Sequence, residues 1–374
     1  MTCARRANRG WRIGGWILLA LSAAAQRWAP PDLVERVYVA RVYPGIAPLL
    51  SAVNAPFPFS LAECLCAVLP LGALAAWIRR RRRGSPAVRP LDAATWVAAA
   101  AGYVGFLFSL SWGLHYRRPP MAARMGLPVA QNTLPDLVET ARWLAEEAAR
   151  LTPEGPGDAP TSLPLALHEV NRQVEAAYAA LPGPALSLGP AKPVLASGLL
   201  SRLGLSGFYF PFTGEPNFNR LMPHAEIPFA IAHEKAHQRG IAPENEANFA
   251  AFLALSSAAH PYLRYSGFLN AAGYALNALA RADPAAYRDL VRLLKGRPAA
   301  DRAAIRRFWT RYRGPAEQVA QRVNDLYLRA NRVPGGVRSY GAVTDLLVAY
   351  RKATIASSSI PGSSASSLKS KPEE

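Results

Sequence analysis

Three stretches near the start of the chain, 13–29, 57–78 and 93–114, are almost unbroken runs of apolar residues. Such runs, without polar alternation, predict helices that are apolar on every side, the pattern of membrane spans. The first is marginal in length and ends at Gln26, Arg27 and Trp28, residue types suited to a membrane–water interface. Residues 30–55 hold few charges and several prolines and read as a loop, with 37–50 suited to lying on the membrane.

Beyond residue 118 the pattern changes. A proline-rich, polar linker leads to 134–151, where Leu137, Ala141, Leu144 and Ala148 recur at helical spacing. A second amphipathic helix is predicted over 163–181 and a short one over 194–203. The aromatic run Gly207-Phe208-Tyr209-Phe210-Pro211-Phe212 is strand-like and is followed by a Thr-Gly turn. Pro211 fits an edge strand, where a missing donor is tolerated. Helices are then predicted from Pro228 to the glycine at 240, over 244–258 and 262–280, from Asp283 to about 294, and over 299–312, 315–331 and 343–350. Residues 353–374 are Ser-rich and polar, the composition of a disordered tail. The expectation is a mainly α fold. Three N-terminal transmembrane helices form a membrane domain over 1–118. A mostly helical domain with a short edge strand or hairpin follows over 119–352.

The net charge of +18 would by itself suggest nucleic acid. Its distribution argues otherwise. Arg79 to Arg83 form an uninterrupted run directly after the second apolar stretch, with Arg89 close behind, and Arg5, Arg6 and Arg9 precede the first. Arginine concentrated at the ends of apolar runs marks cytoplasmic loops. Three spans of that polarity put everything after residue 115 outside the cytoplasm. No zinc finger, RNA-binding signature or glycine-rich phosphate loop is present, so the lipid bilayer rather than nucleic acid is the expected partner. The three cysteines, Cys3, Cys64 and Cys66, all precede residue 119 and suggest no disulfide framework.

The chemistry concentrates in His233-Glu234-Lys235-Ala236-His237, an H-E-x-x-H. Residues four apart share a helix face, so the two imidazoles can aim at one point, and Glu234 projects beside them as a proton acceptor. Gly240 suits the left-handed residue that ends a helix. A catalytic zinc site has three protein ligands and an open position. The third ligand is expected from the next helix: Glu244 in its first turn, where the dipole favours a carboxylate, or alternatively Glu246, about 200° away around the axis. Asn248 lies one turn beyond Glu244 and is suited to fixing a ligand by hydrogen bonding. His168 and His224 read as structural or loop residues.

H-E-x-x-H followed by Glu244-x-x-x-Asn248 resembles the gluzincin metallopeptidases, and Glu246-Ala247-Asn248-Phe249-Ala250 is similar to a run in zinc peptidases that cleave bacterial repressors. The spacing departs from most gluzincins: His237 and Glu244 are only seven apart. Further pieces resemble an uncharacterised family of bacterial multi-pass membrane proteins, a domain of unknown function: Trp112-Gly113-Leu114-His115-Tyr116-Arg117-Arg118, Gly207 to Glu215, Arg264-Tyr265-Ser266-Gly267 and Arg338-Ser339-Tyr340-Gly341. The resemblance implies a zincin-like domain and a zinc peptidase in a bacterial cell membrane, with its catalytic domain outside the cytoplasm.

The expected chemistry is hydrolysis of a peptide or protein substrate, with Zn²⁺ on His233, His237 and Glu244 and with Glu234 as general base. Tyr265, Arg338 and Tyr340 are candidates for a second electrophile, on residue type and resemblance. The alternative is a non-catalytic, membrane-anchored metal-binding sensor or binding module, in which four ligands close a structural site.

Overall fold

A computed structural model describes residues 3–84, 89–154, 165–181, 186–331 and 342–358. The chain begins with α1 (Cys3–Trp28), the single turn α2 (Pro31–Leu33), a π-helical stretch (Val34–Val42) and α3 (Tyr43–Asn54). Two long helices follow, α4 (Leu61–Arg82) and α5 (Pro90–Ser111), then a 3-10 stretch (Gly113–Arg117) and the short α6 (Met121–Arg124). Next come α7 (Leu134–Arg150), α8 (Leu167–Ala179), β1 (Lys192–Pro193), α9 (Ser197–Arg202), β2 (Gly207–Phe210) and β3 (Glu215–Phe218). The remainder is helical: α10 (Ile227–Gln238), α11 (Glu244–Ser256), α12 (Pro261–Ala282), α13 (Pro284–Val291), α14 (Arg297–Tyr312), α15 (Pro315–Ala330) and α16 (Val343–Ser358). The fold is mainly α, as the periodicity predicts. α16 runs past the boundary at 352 that composition suggested for a disordered tail.

Among the described residues two helices, not the expected three, are long and apolar enough to cross a membrane by themselves: Leu61–Arg82 and Leu91–Ser111. The first apolar run does form a helix, but Arg12 and Arg27 lie within α1 and leave fourteen uncharged residues between them. At 1.5 Å per residue that is about 21 Å, short of a hydrocarbon core of about 30 Å. α1 instead runs parallel to α5. Arg12 reaches Asp92 (3.4 Å) and Thr95 (3.0 Å) near the start of α5, and Gln26 donates to Ser109 Oγ (2.6 Å) near its end. Between them Gly15 lies against Ala99 and Gly102 so closely that a side chain at either glycine would strike the other helix backbone. Small residues permit this approach in helix pairs that lack a water-driven hydrophobic force.

The main core joins α7, α8, α10, α11, α12 and α16 through Leu144, Val170, Ile231, Phe249, Leu263 and Leu347, all fully buried. Each such side chain contributes about 1.5–3 kcal/mol. Trp143, Phe252, Phe268 and Tyr350 pack edge to face within it. A three-stranded sheet lies against α10, with β3 in the centre, parallel to β1 and antiparallel to β2. β2 and β3 form the expected short hairpin, and β2 is an edge strand.

The segment before α4, expected as a loop on the membrane, packs instead on this body. Tyr43 donates to the carbonyl of Gln238 (2.9 Å), Asn54 donates to that of Thr213 (2.8 Å), and Ser51 Oγ accepts from Gly189 N. Two carboxylates then lock α4 to the sheet region. Glu215 accepts from the backbone N–H groups of Leu61 (3.0 Å) and Ala62 (2.8 Å), at the start of α4. Glu63, in the first turn of α4, accepts from Leu195 N (2.9 Å) and Ala196 N (2.8 Å), just before α9.

Candidate metal centre

Every residue of α10 is buried, including Lys235 and Gln238. Such a helix persists only if its polar groups find partners. Lys235 Nζ meets Glu175 (2.7 Å) and the carbonyl of Gly189 (2.9 Å), and Gln238 Nε2 donates to the carbonyl of Gly214 (3.0 Å). These contacts fix the rotation of the helix, which turns His233 and His237 away from Lys235 and Gln238, with Glu234 between the two sides. Gly240 ends the helix with φ +75°, and the ring of His115 packs where its side chain would be. A residue with a Cβ would meet both backbone strain and a clash there. The chain then reverses through Pro243 into α11, whose first residue is Glu244.

One ligand-capable atom from each of His233, His237 and Glu244 lies within 4.8 Å of the others. Glu244 Oε2 is 3.1 Å from His233 Nε2 and 3.6 Å from His237 Nε2. His237 Nδ1 lies 2.7 Å from the carbonyl of Ile241, which can only accept. Nδ1 therefore carries a proton and Nε2 faces the cluster, so that the lone pair freed when Nε2 gives up its own proton has the orientation a metal-binding imidazole needs. Burial by itself would lower the His237 imidazole, but the Glu244 carboxylate outweighs that and lifts it to about 9. Burial would raise Glu244, yet His237 and His233 hold it well below the usual carboxylate range. Without a cation the three groups thus share a proton that a divalent ion would displace.

Glu234 lies beside this cluster. Its Oε2 is buried without a hydrogen-bond partner among the described residues, and burial pushes its carboxyl up to about 7 against the pull of His233 and His237. Gly207, at the start of β2, passes directly over it. A Cβ at Gly207 would lie 2.6 Å from Glu234 Oε1 and 2.8 Å from its Cγ.

The other sequence candidates fall elsewhere. Glu246, the alternative ligand, accepts from Met121 N (2.8 Å) and pairs with Arg124 (3.4 Å), and so anchors α6 to α11. Asn248 accepts from Tyr274 (3.1 Å). Tyr265 is fully buried and its hydroxyl is committed to Asp301 (2.7 Å), itself paired with Arg297, which removes it as an electrophile. Arg338 and Tyr340 lie outside the described residues. His224 is not part of the cluster.

Residue type alone did not single out an aromatic wall beside the cluster. The Trp112 ring stands edge-on to His237, centroids 5.5 Å apart, and also packs on Tyr209. Trp112 Nε1 donates to Tyr327 (3.1 Å), as does the Tyr116 hydroxyl (3.3 Å). Burial raises both phenols, and the Glu244 carboxylate adds to the rise. Trp112 and Tyr116 belong to a run that carried the family resemblance. Tyr327, on α15, had no signal beyond helical periodicity.

The model of a family described as "Protein of unknown function (DUF3810)" matches residues 38–348. The chain belongs to this family. The match takes in the segment before α4, both long apolar helices and the whole H-E-x-x-H region. Comparison with curated proteins and with solved structures finds no match.

Proposed function

We propose that this DUF3810 member is a membrane-anchored zinc-dependent metallopeptidase, with His233, His237 and Glu244 as metal ligands and Glu234 as general base. The observation that carries the reading is the convergence of two imidazoles and one carboxylate beside a second, buried carboxylate whose Oε2 has no hydrogen-bond partner among the described residues. Two nitrogens and one oxygen suit zinc, which in such a site lowers the pKa of water to about 7 and polarises a carbonyl. Among the described residues no fourth His, Cys, Asp or Glu joins the cluster. That favours an open, catalytic site over the closed four-ligand site of a structural metal.

The chain's own residues then divide the work. Glu234 takes the proton from the attacking water and passes it to the departing amine, a task suited to a carboxyl raised to about 7. Gly207 lets β2 run close above this carboxylate, so an extended peptide paired to the β2 edge would lie beside it. Nδ1 of His237, held by Ile241, keeps the ring in one orientation.

The anchor reading rests on α4 and α5, with the arginines 79–83 at the end of α4 as the cytoplasmic turn between them. The segments before α4 and after α5 both pack on the body that holds the cluster, which suits a helical pair that leaves and re-enters one side. α1, too short to span alone, runs parallel to α5 in this arrangement and leans on it at Arg12–Asp92 and Gln26–Ser109. The body then lies outside the cytoplasm.

The test is digestion of a peptide library by the detergent-solubilised full chain, with and without chelator. Wild type should cleave only without chelator, and Glu234→Gln should keep its zinc while losing cleavage. Wild-type cleavage by Glu234→Gln would exclude that carboxylate as the base.

A further inference from the structure

An amphipathic helix on a protein surface turns its apolar side inward. α15 does the opposite. Val319, Val323 and Leu326 are 57%, 61% and 68% exposed, while Leu328 is fully buried. At 100° per residue the three exposed residues, with Ala330, fall within about 60° of arc, and Leu328 lies roughly opposite. The side that packs on the body carries Glu317, Ala320, Asn324 and Leu328, all buried or half-buried. The apolar stripe therefore points away from the protein. Arg322 and Arg329 border it on one side and Tyr327 on the other.

The attachments of α15 indicate what faces the stripe. Near its C-terminal end, Tyr327 packs on Phe108 of α5 (ring centroids 6.4 Å apart) and accepts from Trp112, just beyond the end of that helix. Ala330 and Asn331 line a cavity with Ala20, Ala23 and Trp28 at the C-terminal end of α1. Near its N-terminal end, Glu317 packs against Gly204, immediately after α9; a Cβ there would lie 3.0 Å from Glu317 Cγ. α9 repeats the inversion: Leu195, just before it, and Leu199 are 69% and 55% exposed. The start of α9 is held by Glu63, in the first turn of α4. A series of contacts thus runs from the first turn of α4, through α9 and α15 with their exposed apolar residues, to the last turns of α5 and α1.

We infer that α9 and α15 bed in the lipid leaflet into which α4 and α5 open, as a monotopic surface that fixes the body flat against the bilayer. This rests on the reading of α4 and α5 as membrane spans. The occupant is lipid because these contacts join the exposed apolar band of α9 and α15 to the ends of the two apolar helices. One border also has the composition of an interfacial helix, with Arg322 placed to reach headgroups beside Arg329, which pairs with Asp325 (2.6 Å).

The test is spin-label depth measurement on the full chain in nanodiscs of phosphatidylcholine and phosphatidylglycerol, with Cys3, Cys64 and Cys66 replaced by serine. Single labels go on Leu199→Cys, Val323→Cys and Leu326→Cys in the band and on Leu71→Cys and Leu107→Cys in the spans. Arg288→Cys, on the exposed polar side of α13, is the aqueous control. Collisions with dissolved oxygen, relative to a water-soluble nickel chelate, should be several-fold more frequent in the band than at Arg288→Cys. If the span labels report lipid and the band matches the aqueous control, the inference fails while the spans stand. If the band is shielded from both reagents, a protein partner covers it and the inference also fails. Span labels that report water would overturn the membrane reading and this inference with it.

Discussion

Replacing Glu244 by alanine is the sharpest test of the ligand set. The carboxylate oxygen lies 3.1 and 3.6 Å from the two Nε2 atoms, so its loss leaves two imidazoles and no anionic ligand. Zinc that binds only the folded chain stabilises it by RT ln(1 + [Zn]/Kd), about 2.7 kcal/mol at a hundredfold excess over Kd. For a body of this size each kcal/mol moves Tm by roughly 2–4 °C, so zinc should raise the wild-type Tm by about 5–10 °C. Losing even an outer partner of a ligand weakens metal affinity about 10–100-fold, and losing a ligand costs at least as much. At the same zinc concentration a hundredfold weaker site retains only RT ln 2, about 0.4 kcal/mol, and a shift of about 1 °C.

The assay is thermal unfolding of the detergent-solubilised chain with and without zinc, paired with elemental analysis. Glu246→Ala is the matched control. It should melt earlier than wild type, because Met121 N and Arg124 lose their acceptor, yet keep the whole zinc-induced shift. A full shift in Glu244→Ala, together with its loss in Glu246→Ala, would refute the assignment.

Three other outcomes follow from the geometry. Gly207→Ala places a methyl hard against the backbone oxygen of Asn217 in β3 and 2.6 Å from Glu234 Oε1, so β2 must shift off both; cleavage in the peptide-library assay should fall sharply while zinc content by elemental analysis stays at the wild-type level. Glu226, which accepts from Trp309 Nε1, is raised by burial from 4.5 to about 7, so the folded state holds its proton and stability is lost as pH climbs through that window. Glu226→Gln should therefore gain up to about 3 kcal/mol at pH 8 and little at pH 4, read from denaturant melts at the two pH values. Glu215→Ala strands Lys192, whose side chain is 2% exposed, and should cost about 3–5 kcal/mol in the same melts; adding Lys192→Met should recover much of it.

What the sequence disclosed was local. Two histidines one turn apart, a glycine three residues later and a glutamate after a proline are all short-range signals, and each settles a backbone state: helix, left-handed end, new helix. The β2–β3 hairpin was legible for the same reason, through its aromatic run and Thr-Gly turn. What it concealed was long-range. Tyr265 looked like an electrophile because nothing near it in the chain shows that Asp301, thirty-six positions on, takes its hydroxyl. The first apolar run read as a span of marginal length, and nothing near it in the chain shows that Arg12, at its start, pairs with Asp92 and Thr95 about eighty positions away. The prolines and sparse charge of 30–55 read as a loop, since no periodicity encodes contacts to Gln238 or Gly189.

Those long-range contacts bear on how α4 and α5 relate to the site. Glu215, at the start of β3, caps α4, and Glu63 of α4 caps the approach to α9, so α4 is held by carboxylate contacts on both its own side and that of the sheet region. Charge-assisted bonds of this kind are roughly twice as strong as neutral ones, and the Glu215 carboxylate also holds Lys192 Nζ at 2.6 Å, away from water. Tilting the outer end of α4 against the sheet would break several of them at once. It would also pull on β3, whose partner β2 begins at the glycine packed on Glu234. On the other side Trp112, just beyond α5, packs on His237. α5 therefore ends one residue away from a ring packed on the candidate site, and α4 is tied to it through the β3–β2 hairpin, by packed, hydrogen-bonded contacts rather than by a flexible linker.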